Sequence, residues 1–243
     1  MKHTDLAVES AKQTYDIPGA EYISRNIGGV RITDIRVSPR AASQISRPAG
    51  RYITLEGDPA ESALPALLKR ALEQLLPSGG TILAAGLGNP DITRDRLGAL
   101  TVRRLTARSG RKFTLAAIET DVTMRTGIET AAMIRAAARE TGAAAVLAID
   151  SLCCDAPERT YRTVQLTNTG IIPGSGAAAP RKEISRRTVG APVIAVGVPT
   201  ASLLSSLTGK RSHQHYLAAP NDEDIQSLLW ADCISAAIMA ALR

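Results

Sequence analysis

The chain has 243 residues, 44% of them hydrophobic and 21% charged, and 29 Lys and Arg against 23 Asp and Glu give a net charge of +6. This balance excludes a disordered protein, and a single Phe with a single Trp excludes the aromatic platform that binds single-stranded nucleic acid. Without an apolar run of ~18–20 residues, an apolar signal-peptide core or a disulfide framework, we expect a cytoplasmic protein with neither membrane nor nucleic-acid partners.

The predicted elements begin after a polar N-terminal segment, residues 1–50, in which Arg25–Val37 predicts a strand or hairpin. Beyond it, apolar runs alternate with helical spacings. The predicted strands are Tyr52–Glu56, Thr81–Gly86, Phe113–Ile118, Ala144–Ile149, Val193–Val198 and, as a short edge strand, Thr163–Leu166. The predicted helices are Ala60–Leu76, Leu97–Thr106, Ile128–Glu140 and about Asp222–Leu242.

This alternation of strands and helices sets the fold class. Strands that read as continuous apolar runs are typical of a parallel sheet that helices cover on both faces. We therefore predict an α/β fold, a three-layer sandwich with a mostly parallel or mixed central sheet, in a single domain over residues 1–243.

Polar side chains and glycines follow several of these strands. The segment Gly86–Gly98 carries Asp95, Asp150 follows the strand Ala144–Ile149, and Thr167–Gly176 is dense in hydroxyls and glycines. In such sheets the ligand crevice lies beyond the carboxyl ends of the strands. Two carboxylates there could act as a general acid and base, although an Asp after a strand is also a common helix cap.

Nine segments of the chain match one family in order and spacing. They are TDLAVES (Thr4–Ser10), YITLEG (Tyr52–Gly57), GLGN with D-x-x-G (Gly86–Asn89 and Asp95–Gly98), TGIET (Thr126–Thr130), LAID (Leu147–Asp150), ER (Glu158–Arg159), TNTGIIPGSG (Thr167–Gly176), RKEIS (Arg181–Ser185) and GAPVIAVGVPT (Gly190–Thr200). In these segments the chain resembles the germination proteases of endospore-forming bacteria, which degrade small acid-soluble spore proteins.

The resemblance implies an atypical aspartic endopeptidase whose catalytic pair falls on Asp95 and Asp150. It also implies a phosphorylase/hydrolase-like fold similar to the hydrogenase-maturation endopeptidases. Because the equivalent carboxylates of those relatives hold a metal, a divalent cation on Asp95 and Asp150 is an open alternative to a cofactor-free site. The residues expected to bind substrate or the developing oxyanion are Gly88, Asn89, Arg159, Thr169, Gly170 and Ser175.

The same resemblance implies a homotetramer in the forespore or spore core that is made as a zymogen. Self-cleavage is then expected beside Asp5 and Leu6, with a propeptide of residues 1–5. The chain departs from the family where Ser151–Pro157 replaces an Ala-rich stretch, where Pro90 replaces an aromatic residue and where Asn168 replaces an Asp. It is also shorter after Thr200.

Other interpretations stay open at this point. One is a non-catalytic sporulation protein of the same fold, and another is a peptidyl-tRNA-hydrolase-like esterase, because Gly86–Pro90 followed by Thr93–Arg94 resembles the start of that enzyme. Asp91 is an alternative to Asp150 as the second carboxylate. Cys153–Cys154 as a nucleophile and His213 with His215 as a zinc site are weaker readings, since both lack supporting partners.

Overall fold

The computed structural model describes residues 4–11, 17–45, 47–174, 181–213 and 216–243. The described strands are β1 Ala20–Ile27, β2 Val30–Val37, β3 Gly50–Glu56, β4 Gly80–Gly86, β5 Arg108–Ser109, β6 Phe113–Glu119, β7 Ala143–Cys154, β8 Thr163–Thr167, β9 Val193–Leu203 and β10 Leu217–Ala218. The described helices are α1 Ala7–Ala11, α2 Pro39–Ile45, α3 Leu64–Glu73, α4 Leu97–Val102, α5 Thr123–Thr126, α6 Thr130–Glu140, α7 Arg186–Val189, α8 Leu204–Thr208 and α9 Glu223–Ala241. Short 3₁₀ turns cover Thr93–Asp95, Pro157–Arg159 and Arg211–His213.

These strands form one sheet in the order β1-β2-β3-β8-β9-β7-β4-β6-β5, with β10 paired to β9. Its centre is parallel, because β9, β7, β4 and β6 run in the same direction. The flanking pairs are antiparallel, so the sheet is mixed. Strand β8 lies between β3 and β9, which corrects its prediction as an edge strand.

Helices cover both faces of the parallel centre. Along β4, Ile82 and Ala84 pack into a cluster with residues of α3, α4 and α9, whereas Leu83 and Ala85 pack into a second cluster with residues of α6 and α7. Neighbouring residues of a strand point to opposite faces, so both clusters draw on the same apolar run. The predicted three-layer α/β arrangement is confirmed.

The last helix contributes the largest buried side chain of the core. Trp230 on α9 is fully buried, and its indole N–H donates to the Tyr161 carbonyl over 3.0 Å. Helix α9 thus joins the turn before β8 to the face of the sheet. None of the described helices combines the length and apolar character that crossing a membrane requires.

Candidate active site

Three glycines hold the loop after β4 tightly against the start of α4. A Cβ on Gly86 would overlap the Gly98 carbonyl, and a Cβ on Gly98 would lie only 2.5 Å from the Leu87 carbonyl oxygen. Gly88 has φ +99°, and a Cβ there would overlap the Asp95 carbonyl oxygen. Because only glycine tolerates these approaches, the loop folds back on itself and carries Asp95 to the carboxyl end of β4.

Asp150 lies at the same end of the sheet because neighbouring strands differ in length. Strand β4 stops at Gly86, which pairs with Ile149, whereas β7 and β9 continue together past Asp150 and Gly197. The strand therefore extends beyond the predicted Ala144–Ile149. Asp150 is the first β7 residue beyond the end of β4, and it is only 3% exposed.

The two aspartates line one cavity of about 240 Å³. Asp95 Oδ2 accepts the Asn89 backbone N–H over 2.8 Å, and Asp150 Oδ1 accepts the Ser151 N–H over 2.9 Å. The cavity is also lined by Asp5, Ile92, Arg94, Ser151, Leu152, Cys153, Pro173, Gly174, Arg181, Thr200, Ala201 and Leu217. The structure thus brings together the predicted catalytic pair.

The surroundings of the two carboxylates differ. Nearly complete burial, followed by the negative charges of Asp95 and Asp5, raises the pKa of Asp150 well above its usual value, although the Ser151 N–H and the charge of Arg181 oppose this. Burial also raises the pKa of Asp95, but the Asn89 N–H and the charges of Arg181 and Arg94 oppose that shift. The less buried Asp95 is therefore the member of the pair that ionises more readily, and Asp150 is the one that retains a proton.

A third carboxylate comes from the N-terminal segment Thr4–Ser10. The Asp5 N–H donates to the Cys153 carbonyl over 2.9 Å, and the Cys153 N–H donates to Asp5 Oδ2 over 2.8 Å, so this segment pairs with the end of β7. Leu6, the other residue predicted for processing, is fully buried. The segment is therefore an integral wall of the cavity.

Arg47 fixes that segment in place. Its guanidinium donates to the Thr4, Asp5 and Leu6 carbonyl oxygens over 2.7, 3.1 and 3.2 Å, and to the Ser10 hydroxyl over 3.0 Å. Burial lowers the pKa of Arg47, while the charge of Asp5 opposes this shift. Through these four acceptors, Arg47 holds Thr4–Ser10 against the rest of the chain.

Several residues predicted to bind substrate lie beside the aspartate cavity. Thr169 and Gly170 line a neighbouring cavity of about 130 Å³, which shares Asp5 and Leu152 with the first. The Thr169 N–H already donates to the Thr167 hydroxyl over 3.2 Å. Ser175 lies outside the described residues.

The backbone amides of the glycine loop are partly committed. The Leu87 N–H donates to the Ile149 carbonyl over 2.8 Å, and the Asn89 N–H is held by Asp95. The Asn89 side chain accepts from Arg125 over 2.9 Å and from the Asp91 N–H over 3.0 Å. Gly88 shapes the loop around Asp95, and Asn89 positions that carboxylate through its main chain.

Arg159 stands apart from both cavities. Its guanidinium is 7% exposed and lies 3.6 Å from Glu9 Oε1 and 3.1 Å from Glu56 Oε1. Glu9 in turn accepts the N–H groups of Asp155 and Ala156 over 2.8 and 2.9 Å. This buried network ties α1 to the turn after β7, and it does not support the expectation that Arg159 orients substrate.

The weaker candidates are also placed. The Asp91 carboxylate is 72% exposed and paired with Arg125, outside the aspartate cavity. Burial raises the pKa of both Cys153 and Cys154, the latter to about 12, which disfavours a thiolate nucleophile. The His213 Nδ1 lies 2.9 Å from the Thr208 hydroxyl, and His215 lies outside the described residues.

Throughout the described ranges, no three His, Cys, Asp or Glu side chains converge so that they could hold a metal ion. The Asp5, Asp95 and Asp150 carboxylates each accept a backbone N–H instead. Each of these hydrogen bonds occupies one carboxylate oxygen, so a divalent cation on Asp95 and Asp150 stays a prediction.

Sequence comparisons identify the relatives of this chain. A family model described as germination protease matches residues 1–214. The chain belongs to the germination protease family. It is 34% identical to the germination protease of Clostridium tetani over 224 residues, 33% identical to that of Halalkalibacterium halodurans over 233 and 33% identical to that of Bacillus subtilis over 229.

These alignments cover 81% of this chain in each case. They cover 69% of the Clostridium tetani germination protease but 62% of the other two. Among solved structures, the chain is similar to a [NiFe] hydrogenase maturation protease from Thermococcus kodakarensis, with 14% identity, 70% of this chain and 99% of that chain covered, and a TM-score of 0.37. Because this TM-score is low, the α/β assignment is based on the strand order and the covering helices of this chain.

Two arginines of this chain, Arg94 and Arg181, also line the aspartate cavity, and the sequence analysis gave neither of them a role. Both are exposed, and their positive charges oppose the rise in the pKa of Asp95 that burial causes. Arg181 belongs to the RKEIS segment, so the match contained its position but not its function. The Ser151 hydroxyl is buried and has no hydrogen-bond partner in the described part of the chain.

Proposed function

We propose that the chain is an endopeptidase that cleaves small acid-soluble spore proteins during germination, with water activated between Asp95 and Asp150. One observation carries the proposal: two carboxylates from separate strand ends line a single cavity, in a chain of the germination protease family. Pairs of titratable groups whose environments push their pKa values apart are typical of acid–base catalysis.

The two carboxylates take different parts in the proposed reaction. Ionised Asp95 removes a proton from a water molecule as the water oxygen attacks the peptide carbonyl carbon. Protonated Asp150 donates its proton to the carbonyl oxygen, so the tetrahedral intermediate carries two hydroxyls. Asp95 then returns its proton to the peptide nitrogen, the C–N bond breaks, and one hydroxyl returns its proton to Asp150 as the carboxyl product forms.

The cavity walls support this division of roles. Arg94 brings positive charge to the carboxylate that must stay ionised, whereas the charge of Arg181 opposes the pKa rise of both aspartates. Asp5 brings negative charge to the carboxyl group that must stay protonated. Opposite charges favour the charged form of a group and like charges disfavour it, so both surroundings favour one shared proton.

Self-processing beside Asp5 and Leu6 belongs to the same proposal. Asp5 lines the aspartate cavity, which supports it. Leu6 is fully buried, so its peptide bond must leave the position that Arg47 fixes before water can attack. N-terminal sequencing after mild acidification tests this step: a new terminus at Leu6 is expected, and an unchanged Met1 in fully active protein contradicts it.

Assembly into a homotetramer in the spore core completes the proposal. Helix α9 presents Ile225, Leu228 and Leu229 with exposures of 60, 40 and 39%, an apolar stripe that a second copy would cover. Sedimentation velocity of the purified chain tests the assembly. A tetramer is expected, and a monomer at micromolar concentration contradicts it.

A gel assay tests the proposed activity directly. The purified chain is incubated with a purified small acid-soluble spore protein, with and without a chelator, before and after acid treatment. Discrete cleavage products are expected both with and without the chelator. An intact substrate in every lane overturns the peptidase proposal, and products that vanish with the chelator contradict the metal-free reaction above.

A further inference from the structure

A groove with basic rims lies far along the sheet from the aspartate pair, between the β1–β2–β3 end and α3. Its cavity of about 160 Å³ shares no lining residue with the aspartate cavity. Its lining residues are Arg25, Ile27, Ile32, Asp34, Arg51, Ile53, Leu55, Leu67, Arg70, Ala71 and Gln74. We call this set the basic groove.

The floor of the basic groove is apolar because α3 covers only part of the sheet. Ile32, Ile53 and Leu55 of β2 and β3 form one side of the floor and Leu67 of α3 the other, and all four are core residues that are at most 8% exposed. The exposed apolar surface of the groove comes from Ile27, the last residue of β1, which is 41% exposed. An apolar side chain placed here would remove this exposed surface from water.

The rims carry a net positive charge. Arg51 is committed, because its guanidinium donates to Asp34 over 3.0 and 2.7 Å. Arg25 and Arg70 are exposed, and neither side chain makes a hydrogen bond or ion pair with another residue that the structure describes. Two unpaired guanidiniums on opposite rims are suited to carboxylates, which they bind through bidentate hydrogen bonds.

We propose that the basic groove binds an extended acidic peptide segment, with an apolar side chain on the floor and flanking carboxylates on Arg25 and Arg70. The observations favour a peptide over a nucleic acid. The groove is lined by no aromatic side chain on which a base could stack, and its apolar lining residues suit an apolar side chain rather than a sugar-phosphate backbone. For a protein substrate, which rests on the proposed function, the groove is a second site apart from the bond that is cut.

Fluorescence anisotropy on the full chain tests the proposal. The Asp150→Asn substitution is included throughout, so that the outcome does not depend on the proposed peptidase activity. The probe is a labelled peptide of about ten residues that alternates Glu and Leu. The matched probes replace Leu with Ser, replace Glu with Lys, or are an oligothymidylate of the same length.

The protein variants separate the groove from general charge. Arg25→Glu with Arg70→Glu reverses both rims. Arg135→Glu with Arg139→Glu makes the same change in net charge on exposed residues of α6, on the opposite face of the sheet. Thermal melting establishes that both double variants are folded.

We expect saturable binding of the Glu–Leu peptide that weakens about tenfold or more in the Arg25/Arg70 variant and stays unchanged in the Arg135/Arg139 variant. The Ser peptide should bind more weakly and the Lys peptide not at all. Equal loss in both variants, tighter binding of the oligothymidylate, or no saturation up to about 1 mM peptide overturns the proposal. So does an oligomer that dissociates only in the Arg25/Arg70 variant, since the occupant is then a second copy.

Discussion

A close backbone contact of the candidate site is the approach of Gly98 to two neighbouring segments. A Cβ at this position would lie 2.5 Å from the Leu87 carbonyl oxygen and nearer still to the Leu87 nitrogen and the Ile149 carbonyl oxygen. Gly98→Ala must therefore push the glycine loop away from β7. All three of these neighbouring atoms belong to the backbone, so no side-chain rotation can relieve the clash.

The size of the effect follows from these contacts. Overpacking costs about 1–3 kcal/mol, and strain on the buried Leu87 N–H to Ile149 hydrogen bond costs about 1–3 kcal/mol more. The better helix propensity of Ala returns about 1 kcal/mol. We therefore expect a free energy of unfolding lower by about 3 kcal/mol.

Denaturant unfolding and peptidase assays measure both consequences. Gly142→Ala is the matched control, because Gly142 has φ +58° but a Cβ there meets nothing within 4 Å, so only about 1 kcal/mol of backbone strain is expected. At a temperature where both variants are folded, Gly98→Ala should also lose kcat because Asp95 moves away from Asp150. Equal stability of the two variants, or an unchanged kcat, would refute the reasoning.

Three further predictions concern charge in and around the cavity. Because the pKa of Asp150 is raised, the folded chain binds a proton more tightly than the unfolded chain, and stability is lost as the pH rises through that pKa. Asp150→Asn should therefore raise Tm at about pH 8 and have little effect on Tm at about pH 3. Equal Tm shifts at both pH values would contradict this. Asp5→Asn removes a like charge and should lower the pKa of Asp150, which moves the alkaline limb of the pH–rate profile to lower pH; an unmoved limb would count against it. Arg47→Met removes the donors that hold Thr4–Ser10 and should destabilise the chain by about 3 kcal/mol in urea unfolding, whereas a loss below about 1 kcal/mol would show that the segment is held by its apolar contacts.

The sheet centre was predictable because its signal is local. The continuous apolar runs of β4 and β7 predict strands that are covered on both faces, and the two clusters of buried residues confirm this. Strand β8 was placed wrongly at an edge, since its short polar sequence hides its position. Gln165 in β8 is buried only because it accepts the Ala7 N–H and donates to the Asp5 carbonyl, residues more than 150 positions away.

The aspartate pair was predictable, but its surroundings were not. Asp95 lies in the loop after β4 and Asp150 lies in β7 at the point where β4 ends, and the carboxyl ends of parallel strands meet at one edge of a sheet. Arg159 was expected to orient substrate, and its buried ion pairs with Glu9 and Glu56 could not be predicted, because these partners are distant in sequence and leave no local pattern. The position of Asp5 in the cavity depends on long-range hydrogen bonds to Cys153, which sequence spacing does not encode.

The central claim is that Asp95 and Asp150 together activate water. The measurement that tests it most directly is kcat/KM for a purified small acid-soluble spore protein with Asp95→Asn, Asp150→Asn and the control Asp91→Asn, whose carboxylate lies outside the cavity. We predict that each of the first two variants loses about 10²–10⁴-fold while folded, and that Asp91→Asn retains nearly full activity. Near-normal activity in either cavity variant would contradict the account.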